Sequence, residues 1–275
     1  MPRSALFHVY RNTPFGRDTF LQSLHFAQKA HVPLRVYIPK HSQFLMYFPH
    51  RAVTVDLSKD FLHDSDTAKY RVEKLAEEHN LPVSFEVPTE FTALSLPDIP
   101  VSHKFMCCPR SISDLSTKIG LGYIGPKVRQ IINHAAFPVL MPTAVFKEWK
   151  RIVVFFGGSN NAVRALETAL SLRNECDCPL TLFTKAEGKP KDYYEEVLNK
   201  RNLYPLVQGL DDEWLFYEEG QMKELLFNIP SDALVVLGAY GHGHGMFKDM
   251  IMGSKMEMIQ SVLPNNMLIV GPNCV

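Results

Sequence analysis

Residues 233–245, Ala-Leu-Val-Val-Leu-Gly-Ala-Tyr-Gly-His-Gly-His-Gly, decide the fold of this chain. An apolar run of strand length, Ala233 to Leu237, ends in glycines at 238, 241, 243 and 245. Met252-Gly-Ser-Lys255 then opens a helix predicted over Gly253 to Leu263, and a second apolar strand starts at Met267. Strand, glycine loop, helix and strand in that order build an anion pocket. Glycines reach positive φ and admit a ligand closely, and the first N–H groups of a helix point outward without intrahelical partners. Ser254 adds a hydroxyl at the helix start, and Lys248 and Lys255 add positive charge. A phosphate group suits this chemistry; the other use of such a stretch is a plain strand-to-helix connector.

Upstream of this stretch the same alternation continues. Arg151 to Phe156 reads as a buried strand, Asn161 to Asn174 as a helix, Pro179 to Thr184 as a strand and Lys191 to Lys200 as a helix. Tyr204 to Val207 reads as a further strand and Gly220 to Phe227 as a helix. The front of the chain repeats the plan. An offset of 146 sets Phe7-His-Val-Tyr10 on Val153-Val-Phe-Phe156 and Val32 to Tyr37 on Cys178 to Phe183. Near the back of each half the offset becomes 128, with Gly125-Pro-Lys-Val128 on Gly253-Ser-Lys-Met256 and Val139-Leu-Met141 on Met267-Leu-Ile269. The first half thus carries 18 extra residues in its middle, where Phe44-Leu-Met-Tyr-Phe48 has no counterpart and reads as core packing over the sheet, with a partner surface as the other use. Matched blocks in matching order point to duplication. The fold class expected is α/β, with two tandem doubly wound, mostly parallel five-stranded sheets, one in residues 1–145 and one in 146–275.

Composition narrows the class. With 275 residues and 46% hydrophobic content the chain can fill real cores. Its 29 basic and 29 acidic residues cancel, which gives no electrostatic reason to expect nucleic acid. The apolar runs, such as Phe137 to Met141, are too short to cross a bilayer, and the amino terminus lacks the pattern of a signal peptide, so a cytoplasmic protein is expected. Cys107 and Cys108 read as small core residues, and Cys176-Asp-Cys178 falls at a helix-to-strand turn with nothing nearby to suggest redox chemistry. The helix around Tyr70 to His79 has Val72, Leu75 and Ala76 on one side and reads as a solvated surface helix.

At Arg151-Ile-Val-Val-Phe-Phe-Gly-Gly-Ser-Asn-Asn-Ala162 and at Gly238-Ala-Tyr-Gly241 leading to Gly253-Ser254, the chain resembles the universal stress protein family, as a tandem two-domain member. That family's nucleotide motif is Gly, two residues, Gly, nine residues, Gly, then Ser or Thr. Here eleven residues separate Gly241 from Gly253, so either the His242-Gly-His-Gly245 loop bulges or Gly243 takes the second glycine's place. The family ends its first strand in an Asp that contacts the nucleoside, and Gly157 stands there in this chain, with Arg11 at the equivalent place of the first half. The first half has Cys108-Pro-Arg-Ser111 in place of the glycine turn, so only the second half is expected to hold a ligand. The resemblance implies ATP or AMP, with Mg2+, bound by Gly157, Ser159, Gly238, Tyr240, Gly241, His242, Gly243, His244, Gly253, Ser254 and Lys255. It also implies pairing of the last strands of the halves, around Val139 and Leu268, and a homodimer of the whole chain.

Competing motifs are weaker. Gly120-Leu-Gly-Tyr-Ile-Gly125 fits a dinucleotide pattern but does not join a first strand to a first helix. His242, His244 and Asp249 offer metal-binding groups on a loop that fixes little geometry, so no metal is assigned. There is no P-loop, and Gly157-Gly-Ser-Asn160 lacks the Asp of a pyrophosphatase loop. No catalytic residues are assigned, and the expected role is a nucleotide-responsive regulatory or protective module with at most slow ATP turnover. A nucleotide-free interaction scaffold and an adenine-nucleotide-using enzyme are the alternatives.

Overall fold

The structure is a computed structural model describing residues 4–11, 15–48, 51–57, 59, 62, 65–88, 91–92, 96–100, 103–112, 123–208, 214–239 and 254–275. The first half runs β1 (Leu6–Val9), α1 (Gly16–Lys29), β2 (Leu34–Tyr37), β3 (Gln43–Phe48), β4 (Arg51–Asp56), α2 (Ser65–Glu78), β5 (Val83–Glu86), β6 (Asp98–Pro100), β7 (Phe105–Cys107), α3 (Pro126–His134) and β8 (Val139–Met141). The second runs β9 (Arg151–Phe155), α4 (Asn160–Cys176), β10 (Leu180–Lys185), α5 (Lys191–Asn199), α6 (Tyr204–Gln208), β11 (Trp214–Tyr217), α7 (Met222–Leu225), β12 (Ala233–Gly238), α8 (Ser254–Val262) and β13 (Met267–Val270).

The ten strands of the two halves join in one sheet, ordered β11-β10-β9-β12-β13-β8-β7-β1-β2-β5. Each half contributes its strands in the spatial order third, second, first, fourth, fifth. All neighbours are parallel except at the middle, where β13 and β8 pair antiparallel with Met267 opposite Met141, Leu268 opposite Leu140 and Ile269 opposite Val139. The segments expected to pair do so, and the two expected sheets are therefore one continuous sheet.

Burial on both faces explains why the strands read as unbroken apolar runs. Leu6, Ile152 and Val154 face the layer of α1, α2, α4 and α5, whereas Phe7, Val153 and Val235 face α3 and α8. The sequence expectations need two corrections. Tyr204 to Val207 is helical, not a strand, because Pro205 has no N–H for a ladder and is tolerated in the first turn of α6. The third strand of that half is β11 instead. The insert of the first half is an antiparallel pair, β3 with β4, extended by β6. Phe44, Met46 and Phe48 point inward while Gln43 and Tyr47 face out, the alternation of a half-buried sheet. The strand offsets locate it: 146 at the first two strands, 131 at the third and 128 at the last two, so most of the extra length falls between β2 and β5.

The segment joining the halves is held from both sides. The Asn266 side chain accepts from Thr143 N at 2.9 Å and donates to Gln22 Oε1 at 2.9 Å and to Lys147 O at 3.1 Å. Gln22 of α1 donates in turn to Thr143 Oγ1 at 2.9 Å. Both amides are buried, so removing one strands the other's partners. Asn266→Ala is expected to cost about 2 kcal/mol in urea unfolding, a typical penalty for buried groups left unsatisfied. Trp149, 2% exposed, anchors the same segment against His25 and Phe26 of α1. No helix among the described residues is long and apolar enough to cross a membrane.

Candidate functional site

In each half the first and fourth strands lie side by side, and the helices that follow them pack on opposite faces of the sheet. The crevice beyond their carboxyl ends is where such sheets take ligands. In the second half it opens between β9, which continues into Phe156-Gly-Gly-Ser159 and α4, and β12, which continues into the glycine loop.

The β9 side is well fixed. Thr184 Oγ1 donates to Phe156 O at 2.9 Å, and Trp214 Nε1 donates to Thr184 Oγ1 at 3.0 Å, so three strands hold the peptide before Gly157. Gly158 has φ +73°, and a Cβ there would meet Tyr193 Cε1 at 3.2 Å, so the position favours glycine on both counts. Ser159 is the N-cap of α4: its backbone is extended and its hydroxyl accepts from Ala162 N at 3.2 Å. Gly157 differs from these neighbours, because among the described residues a Cβ there would meet nothing within 4 Å. The position where the resemblance calls for a carboxylate is open on the side of the described residues.

Gly238 has a packing role that its place in the motif conceals. A Cβ there would lie 2.5 Å from Asn161 C and O and 2.8 Å from Ala162 N. Glycine is required because the first turn of α4 lies against the end of β12, so its bare Cα faces protein rather than an entering ligand. Asn161, which sequence reasoning passed over, ties the two edges by donating from Nδ2 to Ala239 O. Its signal was its place two residues after an N-cap that follows a glycine turn.

Ser254 and Lys255 open α8 as expected, but their side chains lie outside the description, and Tyr240, Gly241, His242, Gly243, His244 and Gly253 lie outside the described residues. Gly120 lies outside them too, whereas Gly125 caps α3 with Pro126 in its first turn. Of the expected site residues, the structure brings together Gly157, Ser159 and Gly238 at the switch point.

The first half closes the same crevice with its own side chain. Arg11, 8% exposed, follows β1 where Gly157 follows β9, and its Nη1 donates to Ser111 O at 2.9 Å, across the crevice in the loop after β7. Cys107 and Cys108 are buried core residues beside it, and burial pushes the Cys107 thiol up to about 12.

No protein-family model matches the chain, and no curated protein matches its sequence. In fold it is similar to a candidate universal stress protein from Pseudomonas aeruginosa, with TM-score 0.63 and 12% identity over 99% of this chain and 94% of that one. A universal stress protein from Archaeoglobus fulgidus gives TM-score 0.59 and 14% identity, covering 98% of this chain and 99% of that one. The cytoplasmic domain of a prokaryotic cation chloride cotransporter gives TM-score 0.53 and 11% identity, with 98% and 95% covered. The chain is an α/β protein with the universal stress protein fold. At these identities the likeness is one of architecture.

Proposed function

We propose that this chain is a universal stress protein-like module that binds ATP or AMP at the switch point of its second half, with Mg2+ accompanying a triphosphate. In this reading residues 1–145 and 146–275 are duplicated domains, and the chain is a cytoplasmic homodimer with a regulatory or protective role in stress response. The absence of a P-loop from the sequence fits slow turnover at most. The observation that carries the reading is the asymmetry of the halves: among the described residues nothing packs against Gly157 at one switch point, whereas Arg11 bonds across the other to Ser111 O.

A nucleotide-free scaffold is the second reading, favoured by the missing carboxylate at Gly157. One titration separates the two. Gly157→Asp fits the open space and restores an acceptor for the nucleoside, so calorimetry is expected to show ATP affinity rising about tenfold over wild type, the worth of one charge-assisted hydrogen bond. Gly253→Val is expected to weaken binding. If the wild type and Gly157→Asp both keep their circular dichroism spectrum yet take up no ATP at millimolar concentration, the scaffold reading stands in place of the nucleotide one.

A further inference from the structure

The turn that leaves α4 carries Cys176-Asp177-Cys178, far from the switch point and unused by it. Asp177, the C-cap residue, is left-handed with φ 47° and ψ 44°. Those angles mirror a helical residue, and helical geometry sets the two flanking Cα atoms about 5.4 Å apart. That separation sits in the middle of the roughly 4.4–6.8 Å range a disulfide needs, whereas an extended residue would place them at its outer limit, about 6.7 Å.

The thiols follow the backbone. Cys178 Sγ donates to Cys176 O at 3.3 Å, which folds the second thiol back toward the first residue, while Cys176 Sγ donates to Arg173 O at 3.9 Å. Cys176 is half-buried and reachable from solvent, whereas Cys178 is 4% exposed. An outer thiol that meets an oxidant and an inner thiol that resolves the adduct is the arrangement of an exchange pair. Lys29, at the last turn of α1, lies within electrostatic reach of Cys176 and favours its thiolate. Cys107, Cys108 and Cys274 are buried one by one in the cores.

We propose that Cys176 and Cys178 form a reversible dithiol–disulfide site whose oxidant is a low-molecular-weight aliphatic disulfide such as oxidised glutathione. Cys176 loses its proton to solvent and attacks one glutathione sulfur, forming a mixed disulfide and expelling one glutathione thiolate. Cys178 loses its proton and attacks Cys176 Sγ, expelling the second thiolate. Both thiolates are protonated, so the dithiol and one disulfide become a protein disulfide and two thiols, with two electrons passed to glutathione. Burial raises the Cys176 thiol above its ordinary range, so the exchange is slow and the pair is not a peroxide-reducing centre.

The test uses the full chain in glutathione redox buffers over several hours, followed by alkylation under denaturing conditions and mass spectrometry of the tryptic peptide Asn174–Lys185, which holds both cysteines. The expected product is an unalkylated peptide about 2 Da lighter than the dithiol, restored by dithiothreitol. In Cys178→Ser, with its fold checked by circular dichroism, the glutathione adduct on Cys176 is expected to accumulate about tenfold over wild type because nothing resolves it. A wild-type peptide that stays doubly alkylated overturns the proposal. So does a glutathione adduct as abundant in wild type as in the variant, or pairing of Cys176 with a different cysteine.

Discussion

Replacing Gly271 by alanine is expected to lower the unfolding free energy by about 3 kcal/mol, the upper part of the range for overpacking against fixed atoms. An added Cβ would lie 2.0 Å from Ile132 O and 3.2 Å from Ile132 C. The carbonyl belongs to α3 of the first half, so no rotamer change relieves the contact and the backbone must part by more than about 1 Å. The four residues beyond Gly271 depend on that approach. Asn273 Nδ2 donates to Asn133 O at 2.7 Å, Val275 N to Ala136 O at 3.3 Å, and Arg164 Nη1 of α4 holds Pro272 O at 2.9 Å. Driving the tail off α3 loses these bonds together with the burial of Cys274, at 6% exposure. In a chain of this length the melting temperature is expected to fall by roughly 5 °C. Gly157→Ala is the control, since its Cβ meets nothing within 4 Å among the described residues, and its effect is expected to stay within about 0.5 kcal/mol. A Gly271→Ala protein as stable as that control would show that the tail shifts freely and does not secure the seam.

Gly271 also shows where sequence reading stops. Continuous apolar runs such as Ala233 to Leu237 and Met267 to Ile269 announced strands buried on both faces, and matched blocks at offsets of 146 and 128 between the halves announced their order. The pairing of the last strands of the halves followed from the resemblance and is present, with an antiparallel sense that the structure adds. Local chemistry was legible where it is local: Pro126 sits in the first turn of α3, as its place after Gly125 implied. Contacts between distant segments were not legible. Gly238 is glycine because Asn161 lies against it, and Arg11 reaches Ser111 a hundred positions later. Neither spacing nor periodicity carries such facts. The β3–β4 pair was hidden for another reason. Its period-two alternation is plain from Gln43 to Phe48, but the other half offers no counterpart for comparison. Tyr204 to Val207 misled because its aromatic and branched residues favour strands, while Pro205 and burial of Val207 against the α4 and α5 layer favour a helix.

Acidification from pH 8 to pH 5 is expected to remove about 4 kcal/mol of stability through two buried histidines, His8 and His103. His8 Nδ1 lies 2.8 Å from Ser23 Oγ, which in turn donates to Thr19 O at 3.4 Å. With the hydroxyl hydrogen so used, Nδ1 is the donor and Nε2 is a bare acceptor with no partner among the described residues, near the rings of Phe20 and Tyr10. A proton at Nε2 would put a charge there, so burial, reinforced by Arg11, lowers the His8 pKa from 6.5 to about 3. His103 stacks on Phe7 at 4.7 Å with Nε2 also unpartnered, and burial, with Arg35 adding to it, lowers its pKa to about 4. Both histidines are neutral in the folded chain at pH 5, whereas the unfolded chain binds a proton at each below pH 6.5. The unfolded state therefore holds more protons, and stability falls as pH falls from 6.5, by about 1.4 kcal/mol per pH unit per histidine. The loss saturates near pH 4 for His103 and near pH 3 for His8. Urea midpoints at pH 8, 6.5, 5.5 and 5 read this slope directly. His103→Phe keeps the stack on Phe7 and removes the titration, and His8→Asn keeps a donor for Ser23. Each is expected to flatten the dependence by about half. A wild-type stability that does not change between pH 7 and pH 5 would mean that one or both rings reach water or a partner in solution, and the core beside β1 would then be looser than this packing describes.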